Sequence, residues 1–568
     1  MAVMVSGLET SYRDCSSLIL LEQSLHNNKP CEDHKVSTPI QTAMNALHDA
    51  AIKGTFHLGI LSNDPGLLLN SGVPVFEQAA LIGTVEPEKG AIFQAIQIAD
   101  SWIGENPSRV VLLMISSSIG TGSMLLVHPA RENPSYAQVE LVPAKQLVNN
   151  NLSSHPIGYL EMIGGLHNIS QGQFDNLGNL FDSRAEHPEI ALGSIFPIGV
   201  DESGLADLSR ASLMLSRKVI PESSEHLNQD ISYSSGGKPF YIPDYSRPWL
   251  DNGNGLQRNA LLIQTNPEPG TWKFLKLSEA ANPKTIPPAR PYLTGSEPTL
   301  IPVGGNSSSD LLTQIQILET ELRNEKPLKD LAKDAYAKMS EGLKPTFICT
   351  FMSISREDFL NEITHANNGI PGAFETNKSW ISPKGSYFTP QPLGEKGIAF
   401  VYPGAFNSYP GMGRKLFDYF PPLHNLVKQK IKNVSHSLAE KILYPRYLDP
   451  EHGNKKTDLL QNLYNHPNEL IESGISISVL HTLILKNLFQ ISPDVAFGYS
   501  LGESSMLWAN SIWENVEASS ESWKKSSLFR TQLFGPMNAI RDYWKDENLA
   551  EEFWGSYILK APLSKVEK

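Results

Sequence analysis

The N-terminal half of the chain alternates apolar runs of strand length with amphipathic stretches. Residues 110–115, 123–127 and 259–264 are examples of the apolar runs. This alternation predicts an α/β layer fold between about residues 38 and 280. The wider stretch 110–127 is uncharged, but serines, a threonine and glycines occupy its centre. It therefore favours two buried strands joined by a turn over a membrane-spanning helix.

Residues 216–298 contain many Pro, Gly, Ser and Asn residues. Such a composition is typical of long surface loops, so we expect the hydrophobic core to thin out here.

A second segment begins with a short strand at 300–303 and a serine-rich loop that can cap a helix. Four leucine and isoleucine residues then recur at helical spacing: Leu311, Ile315, Leu318 and Leu322. A strand at 346–354 follows, and Ser355 with Asp358 has the S-x-x-D form of a capping box that opens another helix. The order strand, helix, strand, helix predicts a small α/β unit of about a hundred residues.

The third segment opens with a continuous apolar strand at 397–402, which is typical of a buried parallel strand. Helical stretches at 416–426 and 475–488 lead to another strand at 494–497. Residues 498–502 then read Gly-Tyr-Ser-Leu-Gly, directly before a helix that starts at Glu503. A G-x-S-x-G motif between a strand and a helix is the nucleophile-elbow arrangement.

The spacing of this motif has a physical reason. A serine on a sharp strand-to-helix turn has a strained backbone, and the residues two before and two after it approach too closely for side chains, which explains Gly498 and Gly502. The turn also directs the first N–H groups of the helix at the reacting oxygen. We therefore interpret Ser500 as a catalytic nucleophile.

Composition narrows the possible functions. The 568 residues include 47 Lys and Arg against 60 Asp and Glu, a formal charge of −13, which argues against nucleic acid as the main ligand. The cysteines Cys15, Cys31 and Cys349 are scattered, which fits a reducing compartment and excludes a disulfide scaffold or a Cys-based zinc site. With no secretory signal in residues 1–14, we expect a cytoplasmic protein with no membrane partner. The sequence has no Rossmann glycine motif, no phosphate loop and no metal-ligand motif, so we expect no bound cofactor and no metal.

At this point the sequence resembles the acyltransferase (malonyl-CoA:acyl carrier protein transacylase) domains of fatty acid and polyketide synthases. Residues 493–503 read Pro-Asp-Val-Ala-Phe-Gly-Tyr-Ser-Leu-Gly-Glu and resemble the family's P-D-x-x-x-G-H-S-L-G-E segment. Residues 400–413 read Phe-Val-Tyr-Pro-Gly-Ala-Phe-Asn-Ser-Tyr-Pro-Gly-Met-Gly and resemble its opening F-x-F-P-G-Q-G-x-Q-x-x-G-M-G. The resemblance covers residues 396 to about 545.

The rest of the chain resembles parts of the same enzymes. Residues 1–285 are similar to a degenerate ketosynthase, residues 286–395 to the linker between a ketosynthase and an acyltransferase, and residues 396–568 to a partial acyltransferase. The whole most resembles the acyltransferase-bearing subunit of bacterial omega-3 polyunsaturated fatty acid synthases. The resemblance implies a thiolase-like domain, a small α/β linker and an α/β-hydrolase-like acyltransferase core that is incomplete at its C-terminal end.

The resemblance also implies a reaction. Ser500 would accept an acyl group from an acyl-CoA and pass it to the phosphopantetheine of an acyl carrier protein, with a ketosynthase among the other partner subunits. The oxyanion hole would consist of the Leu501 and Ala405 backbone N–H groups, and Arg530 would bind a malonyl carboxylate. Tyr499 takes the place of the family's His in the substrate-binding region, and Ala405 replaces its Gln.

The family's general-base His is missing, since none of the 68 residues after Ser500 is His. The apolar surroundings of His481 favour a structural role. The chain is therefore either shortened or catalytically impaired. Cys15 lies too near the N-terminus to be a condensing cysteine, and the histidine expected after residues 265–266 is absent, so the first region is interpreted as non-condensing.

Two other functions stay open at this stage. The chain could be a scaffold whose degenerate ketosynthase region docks on a true ketosynthase. An ordinary α/β-hydrolase esterase is less favoured, because it needs an acid and a His after the serine. The lysines Lys428, Lys430 and Lys432 could meet an acidic carrier protein, although a solvated helix face explains them as well.

Overall fold

The computed structural model describes residues 2–12, 39–50, 52, 56–71, 73–85, 91–117, 120–131, 133–143, 157–163, 170–181, 190–193, 204–223, 240–253, 255–264, 272–284, 299–324, 326–341, 345–392, 397–405, 407–446, 459–460, 463–464, 466–514, 522, 525–533 and 536–544. The predictions for Cys15, Cys31, residues 265–266 and residues 545–568 lie outside this part of the chain.

A mixed eleven-stranded sheet organises the N-terminal region. Its strands are β1 (Ala2–Tyr12), β2 (His57–Ser62), β3 (Ala80–Thr84), β4 (Arg109–Ser117), β5 (Gly120–Val127), β6 (Ala137–Val142), β7 (Ile157–Ile163), β8 (Ile190–Gly193), β10 (Phe240–Tyr241), β12 (Asn259–Gln264) and β13 (Lys273–Glu279). They lie in the order β10-β8-β7-β12-β13-β6-β1-β5-β4-β2-β3. Pairing is parallel from β10 to β12 and from β4 to β3, and antiparallel between β12 and β4.

Helices cover both faces of this sheet. They are α1 (Pro39–Ala50), α2 (Pro65–Leu69), α3 (Pro74–Glu77), α4 (Ala91–Gly104), α5 (Gln171–Leu180) and α6 (Leu205–Arg217). On β4, Val111 and Leu113 share a core with α4 and α6, whereas Val110 and Leu112 share one with α1. Because successive strand residues point to opposite faces, the region has three layers, and the predicted α/β layer fold is confirmed.

Three expectations for this region have different outcomes. Residues 110–117 and 120–127 do form two antiparallel strands, which belong to β4 and β5. In the described part of the chain no helix is long and apolar enough to cross a membrane. The expectation of a thin core at 216–298 is wrong where it can be checked: β10, β12 and most of β13 are buried. A two-stranded antiparallel ribbon, β9 (Val219–Ile220) with β11 (Arg247–Pro248), lies there as well.

The second segment forms its own four-stranded sheet. Its elements are β14 (Thr299–Gly305), α7 (Ser308–Arg323), α8 (Leu328–Glu341), β15 (Phe347–Ser353), α9 (Arg356–Thr376), β16 (Trp380–Ile381) and β17 (Tyr387–Phe388). The strands lie in the order β14-β15-β17-β16. The predicted cap of α9 is confirmed, because the Ser355 side chain accepts a hydrogen bond from the Asp358 N–H. The helix α8 and the short strands β16 and β17 were not predicted, so the order is strand, helix, helix, strand, helix, strand, strand.

The third segment contains two parallel strands, β18 (Ala399–Tyr402) and β19 (Val495–Gly498). Its helices are α10 (Arg414–Tyr419), α11 (Leu423–Lys428), α12 (Val434–Ser437), α13 (Glu440–Leu443), α14 (Pro467–Leu483), α15 (Leu501–Ala509) and α16 (Asn538–Trp544). A π-helical turn, Ile484–Leu488, continues α14, and another spans Leu528–Gln532.

The two-stranded sheet is covered unevenly. Phe400, Tyr402 and Ala496 pack into the core that α14 helps to form. The opposite face carries Val401, Val495 and Phe497, whose exposed fractions are 65%, 59% and 55%. We call this surface, formed by Val401, Val495 and Phe497, the open face.

Candidate active site

Ser500 lies at the turn between β19 and α15, as the motif predicts. Its backbone angles are φ 55° and ψ −124°, a conformation that residues with a side chain rarely adopt. Such strain persists only where the surrounding structure enforces it, and it is concentrated at functional sites.

The two glycines of the motif provide the space for this turn. A Cβ built on Gly498 would lie 2.1 Å from the carbonyl carbon of Gly502. A Cβ on Gly502 would lie 2.3 Å from the carbonyl oxygen of Tyr402 and 2.9 Å from that of Pro403. Backbone atoms cannot move aside as a flexible side chain can, so both positions need glycine. The predicted approach of the two positions explains Gly498, whereas the atoms that exclude a side chain at Gly502 belong to Tyr402 and Pro403.

The beginning of α15 faces solvent at Ser500. The Ser500 side chain is exposed, and its hydroxyl has no hydrogen-bond partner among the described residues. The Gly502 N–H donates to the Tyr499 carbonyl and the Glu503 N–H to the Ser500 carbonyl. Leu501 is the first helical residue, so its N–H has no intrahelical acceptor and is available to a ligand oxygen.

The loop after β18 lies next to Ser500. A Cβ built on Gly404 would be 3.4 Å from the Tyr499 carbonyl oxygen and 3.9 Å from the Ser500 Cβ. Ala405 follows directly in the chain. Two segments about a hundred residues apart in sequence therefore meet at this point, through the parallel pairing of Tyr402 with Gly498.

Tyr402 fixes the end of β18 and was not among the predicted site residues. Its hydroxyl shares a hydrogen bond of 2.9 Å with the Thr482 hydroxyl on α14. It also accepts one of 3.0 Å from the Asn510 amide just after α15. The signal in the sequence was a tyrosine at the end of an otherwise apolar strand. A buried tyrosine hydroxyl needs a hydrogen-bond partner, so such a residue indicates a polar contact at that end of the strand.

The two predicted substrate-binding residues, Tyr499 and Arg530, are both exposed. Tyr499 is 86% exposed. Arg530 is exposed on the turn Leu528–Gln532, and its guanidinium has no hydrogen-bond or ion-pair partner among the described residues. Their roles, like those of Leu501 and Ala405, stay predictions.

Two histidines of the third segment have lowered pKa values. Partial burial lowers the pKa of His481, which lines a cavity of about 310 Å³ between β18 and α14. Burial, and then the charges of Arg258 and Lys218, hold the pKa of His424 well below its usual range. Neither histidine hydrogen-bonds to Ser500 in the described structure, so neither is assigned as its base.

Part of the lysine run makes contacts within the chain. Lys428 Nζ lies 2.6 Å from Asp251 Oδ2, and Lys430 Nζ donates to the Ser511 hydroxyl at 2.7 Å. Lys432 is exposed. Lys428 is the last residue of α11, and Lys430 and Lys432 follow the helix, so the predicted helix face of three lysines is not formed. These contacts do not test a carrier protein as partner.

Sequence comparison connects the chain to lipid and polyketide synthases. No family model matches the chain. It is 25% identical over 389 residues to a polyunsaturated fatty acid synthase subunit of Thraustochytrium sp., covering 64% of this chain and 19% of that protein. It is 23% identical over 408 residues to the non-reducing polyketide synthase tpeB of Talaromyces stipitatus, covering 67% of this chain and 16% of that protein. The chain is related to polyunsaturated fatty acid and polyketide synthases and spans less than a fifth of the length of these relatives.

Solved ketosynthases are distant structural neighbours. The ketosynthase from module 6 of the Bacillus subtilis bacillaene synthase is 13% identical, with a TM-score of 0.40, over 65% of this chain and 85% of that one. Ketosynthase twelve of the Bacillus amyloliquefaciens bacillaene synthase is 15% identical, with a TM-score of 0.36, over 65% and 87%. These TM-scores are too low to assign a fold family. The elements described above show a mixed α/β fold with a large mixed sheet.

Proposed function

We propose that this chain is an acyltransferase subunit of a polyunsaturated fatty acid or polyketide type synthase. The observation that carries the proposal is the strained Ser500 at the start of α15, with glycine clearance on both sides and Gly404 beside it. The sequence relationship to synthases supports acyl thioesters as the substrate class. The acyl donor is an acyl-CoA, and the acceptor is the phosphopantetheine thiol of a carrier protein.

The reaction consists of two acyl transfers. Ser500 Oγ attacks the thioester carbonyl, the C–S bond breaks, and the coenzyme A thiol leaves with the proton that Oγ has lost. The carrier thiol then attacks the carbonyl carbon of the acyl-serine ester, the bond from that carbon to Ser500 Oγ breaks, and Oγ receives the proton that the thiol has lost. In both steps the Leu501 and Ala405 N–H groups stabilise the oxyanion, and Arg530 selects a malonyl-type carboxylate.

The N-terminal region is proposed to be a degenerate, non-condensing ketosynthase-like domain. The proposal depends on the sequence, in which Cys15 lies too near the N-terminus to be a condensing cysteine. Cys349 belongs to the second segment, where it is buried, and burial raises its pKa to about 12, so it does not suit catalysis either. The partners proposed on the same basis are an acyl carrier protein and the ketosynthase-bearing subunits.

Intact-mass spectrometry tests the proposal directly. The chain is incubated with malonyl-CoA or acetyl-CoA beside two variants, Ser500→Ala and Ser504→Ala, the second being a matched control on α15. We expect a mass gain equal to the acyl group in the wild type and in Ser504→Ala, and none in Ser500→Ala. A gain that persists in Ser500→Ala would refute the assignment of the nucleophile.

A scaffold role is the second candidate. It is favoured by one observation: the Ser500 hydroxyl has no base as a hydrogen-bond partner among the described residues. A serine hydroxyl without a base is a weak nucleophile. If this role is correct, folded wild type will gain no mass, and a synthase carrying Ser500→Ala will assemble and produce lipid normally.

A further inference from the structure

Arg247 links the N-terminal region to the third segment. It lies on β11 and is fully buried. Its Nη1 donates to the Tyr444 carbonyl at 3.0 Å, and its Nη2 donates to the Pro445 carbonyl at 2.9 Å. The nearest acidic oxygen, Asp244 Oδ1, is 3.9 Å away, so the guanidinium is used mainly to hold backbone carbonyls.

Aromatic rings hold the guanidinium in place. The Arg247 Cζ atom is 4.9 Å from the ring centroid of Tyr241 and 4.8 Å from that of Tyr245. The same rings are contacted by two arginines of the third segment, Arg446 at 5.3 Å from Tyr241 and Arg414 at 4.0 Å from Tyr245. Desolvated cation–π contacts are among the stronger ones, so this cluster is a rigid junction.

Tyr444 connects this junction to the loop beside Ser500. The Tyr444 hydroxyl donates to the Met412 carbonyl at 2.8 Å. The Gly411 N–H donates to the Leu443 carbonyl at 2.7 Å. Arg247 therefore binds the carbonyls of residues 444 and 445, and residues 443 and 444 bind residues 411 and 412. Residues 411 and 412 lie near the C-terminal end of the loop 403–413. This loop begins with Pro403 and Gly404 and contains Ala405.

Arginine has properties here that lysine lacks. Its planar fork directs two N–H groups at two carbonyl oxygens while its face stacks on the rings, whereas an ammonium group offers one point charge. Removing the fork leaves the buried Tyr444 carbonyl and the half-buried Pro445 carbonyl without this donor, and an unpaired buried carbonyl costs more than the bond itself contributes.

We propose that Arg247 is a positioning residue for acyl transfer: it holds the loop 403–413 so that the Ala405 N–H lies beside Ser500. This inference depends on the proposed function. It also gives the N-terminal region a specific task in the reaction, namely to hold one half of the oxyanion hole in place.

The test uses the full chain with Arg247→Lys, Arg247→Ala and Tyr444→Phe. The last variant removes only the hydroxyl that holds Met412 and is the one expected to disturb folding least. Arg109→Lys and Arg109→Ala are matched controls, because Arg109 also stacks on an aromatic ring, Trp102, elsewhere in the N-terminal region. Two quantities are measured: the maximal rate of acyl-Ser500 formation at saturating acyl-CoA, and amide hydrogen exchange over residues 403–413.

We expect all three junction variants to form acyl-Ser500 at least tenfold more slowly, with the half-saturating acyl-CoA concentration unchanged within about twofold. Exchange at Gly411 and Met412 should accelerate at least tenfold, while exchange over residues 501–509 stays as in the wild type. The Arg109 variants should match the wild type in both measurements. A merely structural role would accelerate exchange throughout the third segment instead, and that outcome would overturn the proposal.

The outcomes separate this inference from the proposed function. If the wild type forms acyl-Ser500 and folded junction variants do so at the wild-type rate, Arg247 is not a positioning residue, while the function stands. Local loosening of the loop with an unchanged rate leads to the same conclusion. If the wild type forms no acyl-Ser500, the proposed function fails and the positioning role fails with it, and hydrogen exchange then reports only whether Arg247 holds the loop.

Discussion

Gly502 lies so close to Tyr402 that a Cβ at position 502 would be 2.3 Å from the Tyr402 carbonyl oxygen. The oxygen belongs to the backbone of β18, which is paired with β19, so it cannot move away cheaply. We therefore expect Gly502→Ala to lower the free energy of unfolding by about 2–3 kcal/mol, a typical cost of overpacking. Urea denaturation followed by circular dichroism measures the change.

Gly172 is the matched control for this substitution. It lies in the first turn of α5, and a Cβ built there meets no atom within 4 Å. Gly172→Ala should leave the stability unchanged or raise it by up to about 1 kcal/mol. Equal effects of Gly172→Ala and Gly502→Ala would show that the close approach of Gly502 to Tyr402 does not exist in solution.

The backbone strain at Ser500 can be measured separately from its chemistry. Glycine adopts the angles φ 55° and ψ −124° without a steric penalty, so Ser500→Gly should raise the free energy of unfolding by about 1 kcal/mol. Ser500→Ala keeps the strain and loses only an exposed hydroxyl, so its stability should stay within about 0.5 kcal/mol of the wild type. If Ser500→Gly is less stable than Ser500→Ala, the turn is not strained as described.

A buried ion pair joins α6 to β7 of the large sheet. Arg210 Nη1 lies 2.8 Å from Glu161 Oε1, and the Tyr159 hydroxyl donates to Glu161 Oε2 at 2.5 Å. Glu161→Gln would leave a buried guanidinium without its counter-charge. We expect a loss of about 3–5 kcal/mol in the free energy of unfolding, measured by urea denaturation.

Glu319, which pairs with Arg323 on α7, serves as the comparison. The Arg323 side chain is 64% exposed, so water screens the pair. Glu319→Gln should cost less than about 1 kcal/mol. A Glu161→Gln variant that is as stable as Glu319→Gln would contradict the burial of the first pair.

His424 makes stability depend on pH. Its pKa in the folded protein is lowered by burial and by Arg258 and Lys218, both of which also pair with Glu279. The unfolded chain therefore binds a proton at a pH where the folded chain does not. The stabilisation is present above the unfolded pKa, about 6.5, and is lost as pH falls below it, by up to about 1.4 kcal/mol per pH unit.

The measurement is the free energy of unfolding of wild type and His424→Leu at several values between pH 5 and pH 8. The variant should lose less stability than the wild type on acidification, because one proton fewer is taken up on unfolding. Parallel curves for the two proteins would show that His424 is protonated equally in both states.

Local signals predicted much of the fold, and long-range pairing limited the rest. The capping serine of α9 and the strands β4 and β5 depend on residues close in sequence, and all were predicted. The central strand β1 was missed, because only its first residues are strongly apolar and its partners β5 and β6 lie more than a hundred residues away. The helix α8 was missed because its pattern is largely polar and charged.

In the candidate site, too, local features could be predicted and long-range contacts could not. The elbow was predictable, since the strand, turn and helix that define it span about fifteen consecutive residues. The hydrogen bond from Arg247 to Tyr444 joins residues 197 positions apart, and no local pattern reveals that an arginine in a Pro-rich stretch is fully buried. The composition of residues 216–298 is typical of loops. Composition gives no information about which distant residues pack against a segment, so the burial of this one could not be predicted.

The open face of β18 and β19 has a practical consequence for anyone handling the purified protein. Val401, Val495 and Phe497 present contiguous apolar surface on a parallel pair of strands, a kind of sheet that is normally covered on both sides. At high concentration such a surface promotes self-association, which would lower the amount of monomer in an acylation assay. Acylation assays are therefore best run at low micromolar concentration, with light scattering recorded on the same sample.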